Sequence, residues 1–178
     1  IYSEKILIDK MEPKVSIIMG STSDLGVMEK AAKILDEFEI PFEINALSAH
    51  RTPEAVETFA KGAKDRGIQV IIAGAGMAAH LPGVIAAMTT LPVIGVPIDA
   101  SLQGMDSLLA IVQMPPGIPV ATVGINGAQN AGILAVQMIS LGDSVLAAKL
   151  VEFKENLKNK IEQANQDLSK IKFKFKVN

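Results

Sequence analysis

Short apolar runs alternate along the chain with longer stretches in which apolar residues recur every three or four positions. The short runs predict strands, and the longer stretches predict helices with one apolar face. The predicted strands cover residues 15–19, 42–47, 70–73, 93–97 and 120–123, and the predicted helices cover residues 25–39, 53–65, 82–90, 104–112 and 127–140. Because strands that alternate with helices form parallel sheets, the pattern predicts a three-layer, doubly wound α/β domain over residues 13–142.

The two ends of the chain depart from this pattern. Residues 1–12 precede the first clear strand and are predicted to be an N-terminal extension. Residues 143–165 predict an amphipathic helix that either closes the domain or lies on a neighbouring subunit. Residues 166–178 form a basic and apolar tail, which fits a basic arm for a polyanion, a frayed end or an added edge strand. The last two interpretations are favoured, and the tail is given no function.

Composition narrows the class of protein. The 178 residues carry a net charge of −2, so no overall field attracts nucleic acid or an anionic membrane. The chain has no cysteine and no apolar stretch long enough to span a membrane, and we expect a cytoplasmic enzyme. Apolar residues make up 49% of the chain but aromatic residues only 4%. This balance fits either apolar surface buried between subunits or a core of fully buried parallel strands.

The loop after the second predicted strand has the richest chemistry. It places Ser48, His50 and Arg51 just before Thr52, a predicted N-cap, and Pro53, which suits the first position of a helix. Ligands of open α/β sheets bind at the carboxyl ends of the strands, where this loop lies. Imidazole passes protons near neutral pH, and guanidinium binds phosphate through two parallel hydrogen bonds. A structural histidine and a surface ion pair between Arg51 and a residue such as Glu54 are the alternatives.

A second loop has the parts of an anion site. Gly20 allows close approach, Ser21 and Ser23 offer hydroxyls, and the following helix directs N–H groups at a ligand. Asp24 would repel a phosphate, so it is predicted to bind sugar hydroxyls or to cap the helix. The alternative is that Ser23 or Asp24 is only an N-cap.

A third loop follows the third predicted strand. Gly74 and Gly76 are predicted to let a ligand approach the backbone, although two glycines alone are a weak signal. His80 stands at the start of a helix and is interpreted either as a site residue or as a structural residue bonded to backbone. Two histidines in separate loops, with no cluster of carboxylates, predict no metal site.

Taken together, these loops and one proline-rich turn resemble the class I PurE family, the N5-carboxyaminoimidazole ribonucleotide mutases of purine synthesis. The matching motifs are Gly20-Ser21-Thr22-Ser23-Asp24, Ser48-Ala49-His50-Arg51-Thr52-Pro53, Gly74-Ala75-Gly76-Met77-Ala78-Ala79-His80-Leu81-Pro82-Gly83 and Gln113-Met114-Pro115-Pro116-Gly117-Ile118-Pro119-Val120. They follow in order, at the family's spacing, over residues 14–140. The resemblance implies a flavodoxin-like fold, a homo-octamer with the C-terminal helix packed on neighbours, and no metal or organic cofactor. Position 77 is often glycine in the family, whereas this chain has Met77.

The resemblance also implies a reaction and residue roles. The family moves a carboxylate from the exocyclic nitrogen of N5-carboxyaminoimidazole ribonucleotide (N5-CAIR) to C4 of the imidazole, which gives CAIR. Carried over by position, Ser21, Ser23 and Arg51 bind the phosphate, Asp24 binds the ribose hydroxyls and His50 is the general acid and base. The base and the migrating carboxylate are enclosed by Ser48 and by a loop that includes Gly74, Ala75, Gly76, His80 and Leu81. The expected partner is therefore a small ribonucleotide, not nucleic acid or a membrane.

Two other functions compete with this one. The class II relatives carboxylate aminoimidazole ribonucleotide (AIR) directly with carbon dioxide on the same fold, but the stretch His80-Leu81-Pro82-Gly83 resembles class I. A non-catalytic signalling or electron-transfer module could share the fold. A phosphoacceptor receiver, however, needs an aspartate where this chain has Ala73 and Gly74, and a flavodoxin needs aromatic residues around its flavin.

Overall fold

A five-stranded parallel sheet forms the centre of the first of two compact units, which ends at Ile139. The computed structural model describes residues 11–177, so residues 1–10 of the predicted N-terminal extension lie outside the described residues. The strands are β1 (Val15–Met19), β2 (Phe42–Ala46), β3 (Val70–Gly76), β4 (Val93–Ile98) and β5 (Ala121–Thr122), in the spatial order β2-β1-β3-β4-β5. This is the order of flavodoxin-like folds, and the predicted doubly wound sheet is confirmed.

The central strands are buried from end to end. Every residue of β1 and β4 is buried, as is β3 up to Ala75, because helices cover both faces of the sheet. β1 pairs with β2 and with β3 in register, so that Met19 lies beside Ala46 and Gly74. The carboxyl ends of these strands therefore meet at one edge. β3 runs three residues past the predicted end at 73, since its apolar run continues in small residues, and β5 is shorter than predicted.

Helices pack on both faces of the sheet. They are α1 (Leu25–Glu37), α2 (Pro53–Gly62), α3 (Leu81–Met88), α4 (Met105–Val112) and α5 (Ala128–Ser140). Buried residues of α2, α3 and α4, such as Val56, Ile85 and Ile111, share one core cluster with Ile71 and Ala73 of β3. α1 and α5 lie close together. A Cβ atom added to Gly132 of α5 would lie 3.0 Å from Cβ of Ile34 in α1.

The chain divides into two compact units between Ile139 and Ser140. The second unit contains α6 (Ser144–Lys170), whose N-cap Asp143 accepts hydrogen bonds from the Val145 and Leu146 amides. α6 extends beyond the predicted end at 165, and an ion pair of 2.8 Å between Lys170 and Asp167 supports its last turn.

The tail after α6 is not an edge strand. Residues 171–177 join none of the five strands, so that interpretation is wrong. The Lys176 ammonium instead donates to the carbonyls of Leu168 and Ile171, which satisfies acceptors at the end of α6. None of the described helices has the length and apolar content that a membrane span requires.

Candidate active site

A cleft of about 450 Å³ lies at the carboxyl edge of the sheet. Its walls are the loops that follow β1, β2, β3 and β4, the position at which doubly wound folds bind ligands. The described residues that line it are Gly20, Ser21, Ser23, Asp24, Ser48, Ala49, His50, Arg51, Ala75, Gly76, Met77, Ala78, Leu81 and Ala100. The volume lies in the range of small-molecule sites.

The loop after β2 is closed by hydrogen bonds between Ser48 and Thr52. The Thr52 amide donates to the Ser48 carbonyl at 2.8 Å, and the Thr52 hydroxyl donates to the same carbonyl at 3.1 Å. The Ser48 amide donates in return to the Thr52 hydroxyl at 2.9 Å. Thr52 occupies the N-cap position of α2 but makes no side-chain capping bond, so its predicted capping role is wrong. Its hydroxyl is used inside the loop instead, and Pro53 begins the helix as predicted.

Arg51 links this loop to the loop after β1. Its Nη2 donates to the Gly20 carbonyl at 2.9 Å, and its Nε donates to the Ser48 hydroxyl at 3.3 Å. The Ser48 hydroxyl also accepts from the Arg51 amide at 3.2 Å. The guanidinium is thus held at the cleft by residues of two loops. Of the described residues that line the cleft, Arg51 supplies the one permanent cation.

Ser21, Ser23 and Asp24 form a short hydrogen-bonded chain in the loop after β1. The Ser23 hydroxyl lies 2.9 Å from the Ser21 hydroxyl and 3.2 Å from Asp24 Oδ1. Ser21 caps the short 3₁₀ turn Thr22–Asp24 by accepting from the Ser23 amide. Asp24 stands before α1 without a side-chain capping bond, so the alternative that it is a cap is wrong.

The Asp24 carboxyl has an altered acidity. Burial raises the pKa of Asp24, and hydrogen bonds from the Ser23 side chain and the loop backbone oppose that rise. A half-buried carboxylate that is not used as a helix cap is available to accept hydrogen bonds from a bound ligand. Sugar hydroxyls are donors that fit such a carboxylate.

The two histidines contact each other at the cleft, which His50 lines and His80 does not. His50 Nε2 lies 2.8 Å from His80 Nδ1, and the rings meet edge to face with centroids 4.9 Å apart. One of these two nitrogens must carry the proton and the other must accept it. His80 precedes α3 but its side chain makes no capping bond to the backbone, and its role at the site stays a prediction. It reaches the site by contacting His50.

The glycines of the third loop have different surroundings. A Cβ atom on Gly74 would lie 2.4 Å from the Met28 sulfur, so Gly74 leaves room for this buried side chain of α1, and Gly74 does not line the cleft. Its predicted place at the ligand stays a prediction. Gly76 does line the cleft, and a Cβ there would lie 2.9 Å from Cβ of Ala100. Ala100 was missed by the sequence interpretation. Its position directly after β4, on the same edge as the other loops, is the signal that could have found it.

Comparison with known proteins identifies the family. Residues 14–160 match the family model described as AIR carboxylase. This chain belongs to the AIR carboxylase family. A relative from Pyrococcus abyssi, named N5-carboxyaminoimidazole ribonucleotide mutase, is 60% identical over 82% of this chain and 84% of its own length. A relative of the same name from Thermotoga maritima is 55% identical over 93% of this chain and 98% of its own length.

A solved structure shows that the likeness includes the fold. PurE from Treponema denticola superposes with a TM-score of 0.76 at 31% sequence identity and covers 88% of this chain and 98% of that one. The resemblance to the PurE family that the four motifs indicated is therefore confirmed. Among residues 11–177, no three histidine, aspartate or glutamate side chains come together in a way that could hold a metal ion.

Proposed function

We propose that this member of the AIR carboxylase family is an N5-CAIR mutase of purine synthesis, acting in the cytoplasm. The observation that carries the proposal is the 2.8 Å contact between His50 and His80, because His50 lines the cleft together with Arg51. A proton-transfer group and an anion-binding group are thereby combined in one small-molecule site. The curated relatives named as N5-carboxyaminoimidazole ribonucleotide mutases support the assignment.

One end of the proposed ligand is the phosphate. Arg51 would bind it through guanidinium N–H groups, while Ser21 and Ser23 would donate from their hydroxyls. The amides at the start of α1 add to the favourable field for an anion. Asp24 would accept from the ribose hydroxyls, which separates its negative charge from that of the phosphate.

The other end is the imidazole, where the carboxylate moves. The bond from the exocyclic nitrogen to the carboxyl carbon breaks, and His50 donates a proton to that nitrogen. C4 of the resulting AIR then bonds to the released carbon dioxide, and His50 takes the C4 proton, which restores its starting state. The reaction consumes no other reactant, because the same carboxyl carbon and the same number of protons appear on both sides.

His80 and the small residues of the third loop would support this step. Through its bond to Nε2, His80 fixes the orientation of the His50 ring and the nitrogen that carries the proton. Ser48, Ala75, Gly76 and Leu81 would enclose the base and the carbon dioxide. Holding both fragments in contact favours recombination over escape.

The proposal includes assembly into a homo-oligomer, with an octamer as the expected size. Met105, Leu109 and Val112 follow one another at helical spacing on α4, and each is about half exposed in the single chain, at 48%, 48% and 49%. Leu102, just before α4, is 74% exposed and extends the stripe toward the loop that carries Ala100. A second subunit on this stripe would remove apolar surface from water beside the cleft.

Leu109→Lys tests the assembly. A lysine in a buried apolar contact between subunits is costly, so we expect smaller particles by light scattering. Thr58→Lys, on the exposed surface of α2, is the matched control and should leave the mass unchanged. A wild-type protein with the mass of one chain would refute the oligomer.

The activity is tested with purified protein and two substrates, without ATP or added metal. N5-CAIR at low bicarbonate should be converted to CAIR, followed by absorbance and chromatography. Turnover of AIR plus bicarbonate alone would assign the direct carboxylase instead. A folded protein that acts on neither would refute the proposal.

A further inference from the structure

The β4 loop (residues 99–104) has a strained backbone. Leu102, Gln103 and Gly104 follow one another with φ of 45°, 57° and 78°, all in the left-handed region. Glycine adopts this region freely, but leucine and glutamine do so only at a cost in free energy. Such a conformation persists only where the surrounding structure holds it in place. The contacts that hold the β4 loop therefore decide its shape.

The β5 loop (residues 123–127) contacts the β4 loop at both of its ends. At the first end, Asn126 Oδ1 accepts a hydrogen bond from the Asp99 amide at 3.0 Å. At the other end, a Cβ atom added to Gly104 would lie 2.6 Å from Cγ2 of Ile125, so the isoleucine packs directly on the glycine backbone. The β4 loop is thus held by a loop that lies more than 20 residues further along the chain.

Asn126 is itself fixed in place. Its amide donates to the carbonyl of Pro97 in β4 at 2.8 Å. Its φ of 56° lies in the left-handed region, which asparagine tolerates better than most residues with a Cβ. The backbone of Asn126 is therefore tied to β4, and its side chain reaches the residue that follows β4.

The hydrogen bond from Asp99 to Asn126 lies one residue from the cleft. Ala100 lines the cleft, whereas Asp99 and Asn126 do not. A Cβ atom added to Gly76 would lie only 2.9 Å from Cβ of Ala100, so these two residues form one closely packed part of the wall. A shift of the β4 loop would move Ala100 away from Gly76 and change the shape of the cleft.

We propose that Asn126 is a positioning residue, which holds the β4 loop in its strained form and so places Ala100 in the cleft wall beside Gly76. This inference rests on the proposed mutase function, in which Gly76 lies at the base of the ligand. Without the Asn126 side chain, strain favours other loop conformations, and only a fraction of the molecules has the complete wall. The apparent Kd for N5-CAIR then rises by the inverse of that fraction.

Asn126→Gly tests the hydrogen bond without adding strain, because glycine lacks the acceptor but adopts positive φ freely. We expect KM for N5-CAIR to rise about three- to tenfold, a factor within the net contribution of one neutral hydrogen bond. kcat should stay at the wild-type value, because bound substrate restores the same wall. Inhibition by ribose 5-phosphate should also stay unchanged, since this compound lacks the base. Steady-state kinetics measure all three.

Two further variants separate positioning from a loss of stability. Asn126→Asp keeps an oxygen acceptor and tolerates the left-handed region, so its KM should return to the wild-type value. Asn165→Gly makes the same exchange at an exposed position of α6. Because glycine destabilises a helix, this control should lower the melting temperature and leave KM unchanged.

An unchanged KM in Asn126→Gly would overturn the inference, as would an equally raised KM in Asn126→Asp. Inhibition by ribose 5-phosphate that weakens as much as KM rises would mean that the whole cleft is disturbed, which also contradicts the inference. Wild-type protein that makes no CAIR from N5-CAIR would refute the proposed function itself, and this inference with it.

Discussion

Replacement of Arg51 by lysine tests the phosphate end of the proposed site. Lysine keeps the positive charge but has one ammonium, which cannot reach both the Gly20 carbonyl and the Ser48 hydroxyl as the guanidinium does at 2.9 and 3.3 Å. Both bonds are exposed, so together they should stabilise the fold by no more than about 1 kcal/mol. For a chain of this length, that predicts a melting temperature about 2–4 °C lower.

The effect of Arg51→Lys on binding should be larger than its effect on stability. Loss of one charge-assisted hydrogen bond costs about 1.5–3 kcal/mol, which corresponds to a rise in KM of about 10- to 150-fold. kcat should change little, because His50 and its contact with His80 are untouched. Steady-state kinetics with N5-CAIR measure both constants. Inhibition by ribose 5-phosphate, which lacks the base, reports the phosphate end alone and should weaken by a similar factor.

Arg66→Lys is the matched control for this prediction. Arg66 pairs with Glu43 at 3.0 Å and lies over the Phe59 ring at 5.1 Å, but it does not line the cleft. The Arg66→Lys substitution should lower the melting temperature and leave KM unchanged. An Arg51→Lys protein with unchanged KM and unchanged inhibition by ribose 5-phosphate would remove Arg51 from the phosphate site. A fall in kcat at constant KM would place Arg51 at the reactive end instead.

Four further substitutions follow from the structure. His50→Asn should keep KM and lose about 10²- to 10⁴-fold in kcat, because the proton carrier is removed, and a kcat at the wild-type level would contradict the assignment. Burial raises the pKa of Asp24, so the folded protein binds this proton more tightly than the unfolded chain does. The resulting gain in the free energy of unfolding is present in acid and is lost as the pH rises through the folded-state pKa. Asp24→Asn should therefore raise the melting temperature at neutral pH but not near about pH 3, and an equal effect at both would contradict the shift. Gly74→Ala should cost about 1–3 kcal/mol in chemical denaturation, because its Cβ overlaps the Met28 sulfur. Gly26→Ala, with open space around its Cβ in α1, should instead stabilise by about 0.5–1 kcal/mol.

The sheet was predictable because its signal is local. Continuous apolar runs such as Val15–Met19 mark strands that are buried on both faces, and such a signal needs no knowledge of partners. The ends of elements were less predictable. β3 continues to Gly76 through small residues, and the length of α6 depends on pairs such as Lys170 with Asp167, which matter only once the helix exists.

The site was predictable as a set of loops but not in its contacts. A shared sheet edge follows from parallel topology, so His50, Arg51 and Asp24 could be placed near one another from sequence. The bond between His50 and His80 depends on how the second and third loops approach, and no local pattern encodes it. Gly74 shows a different limit of the sequence. A glycine needed for a ligand and a glycine needed for a helix look the same in sequence until Met28 is seen against it.

The hydrogen-bonded ring between Ser48 and Thr52 has a consequence for ligand binding. Its three bonds fix the backbone on both sides of His50 in the protein without ligand. The residues between Ser48 and Thr52 therefore lose their conformational freedom when the protein folds. That entropy loss does not oppose ligand binding. A ligand therefore meets the backbone that carries His50 and Arg51 already ordered.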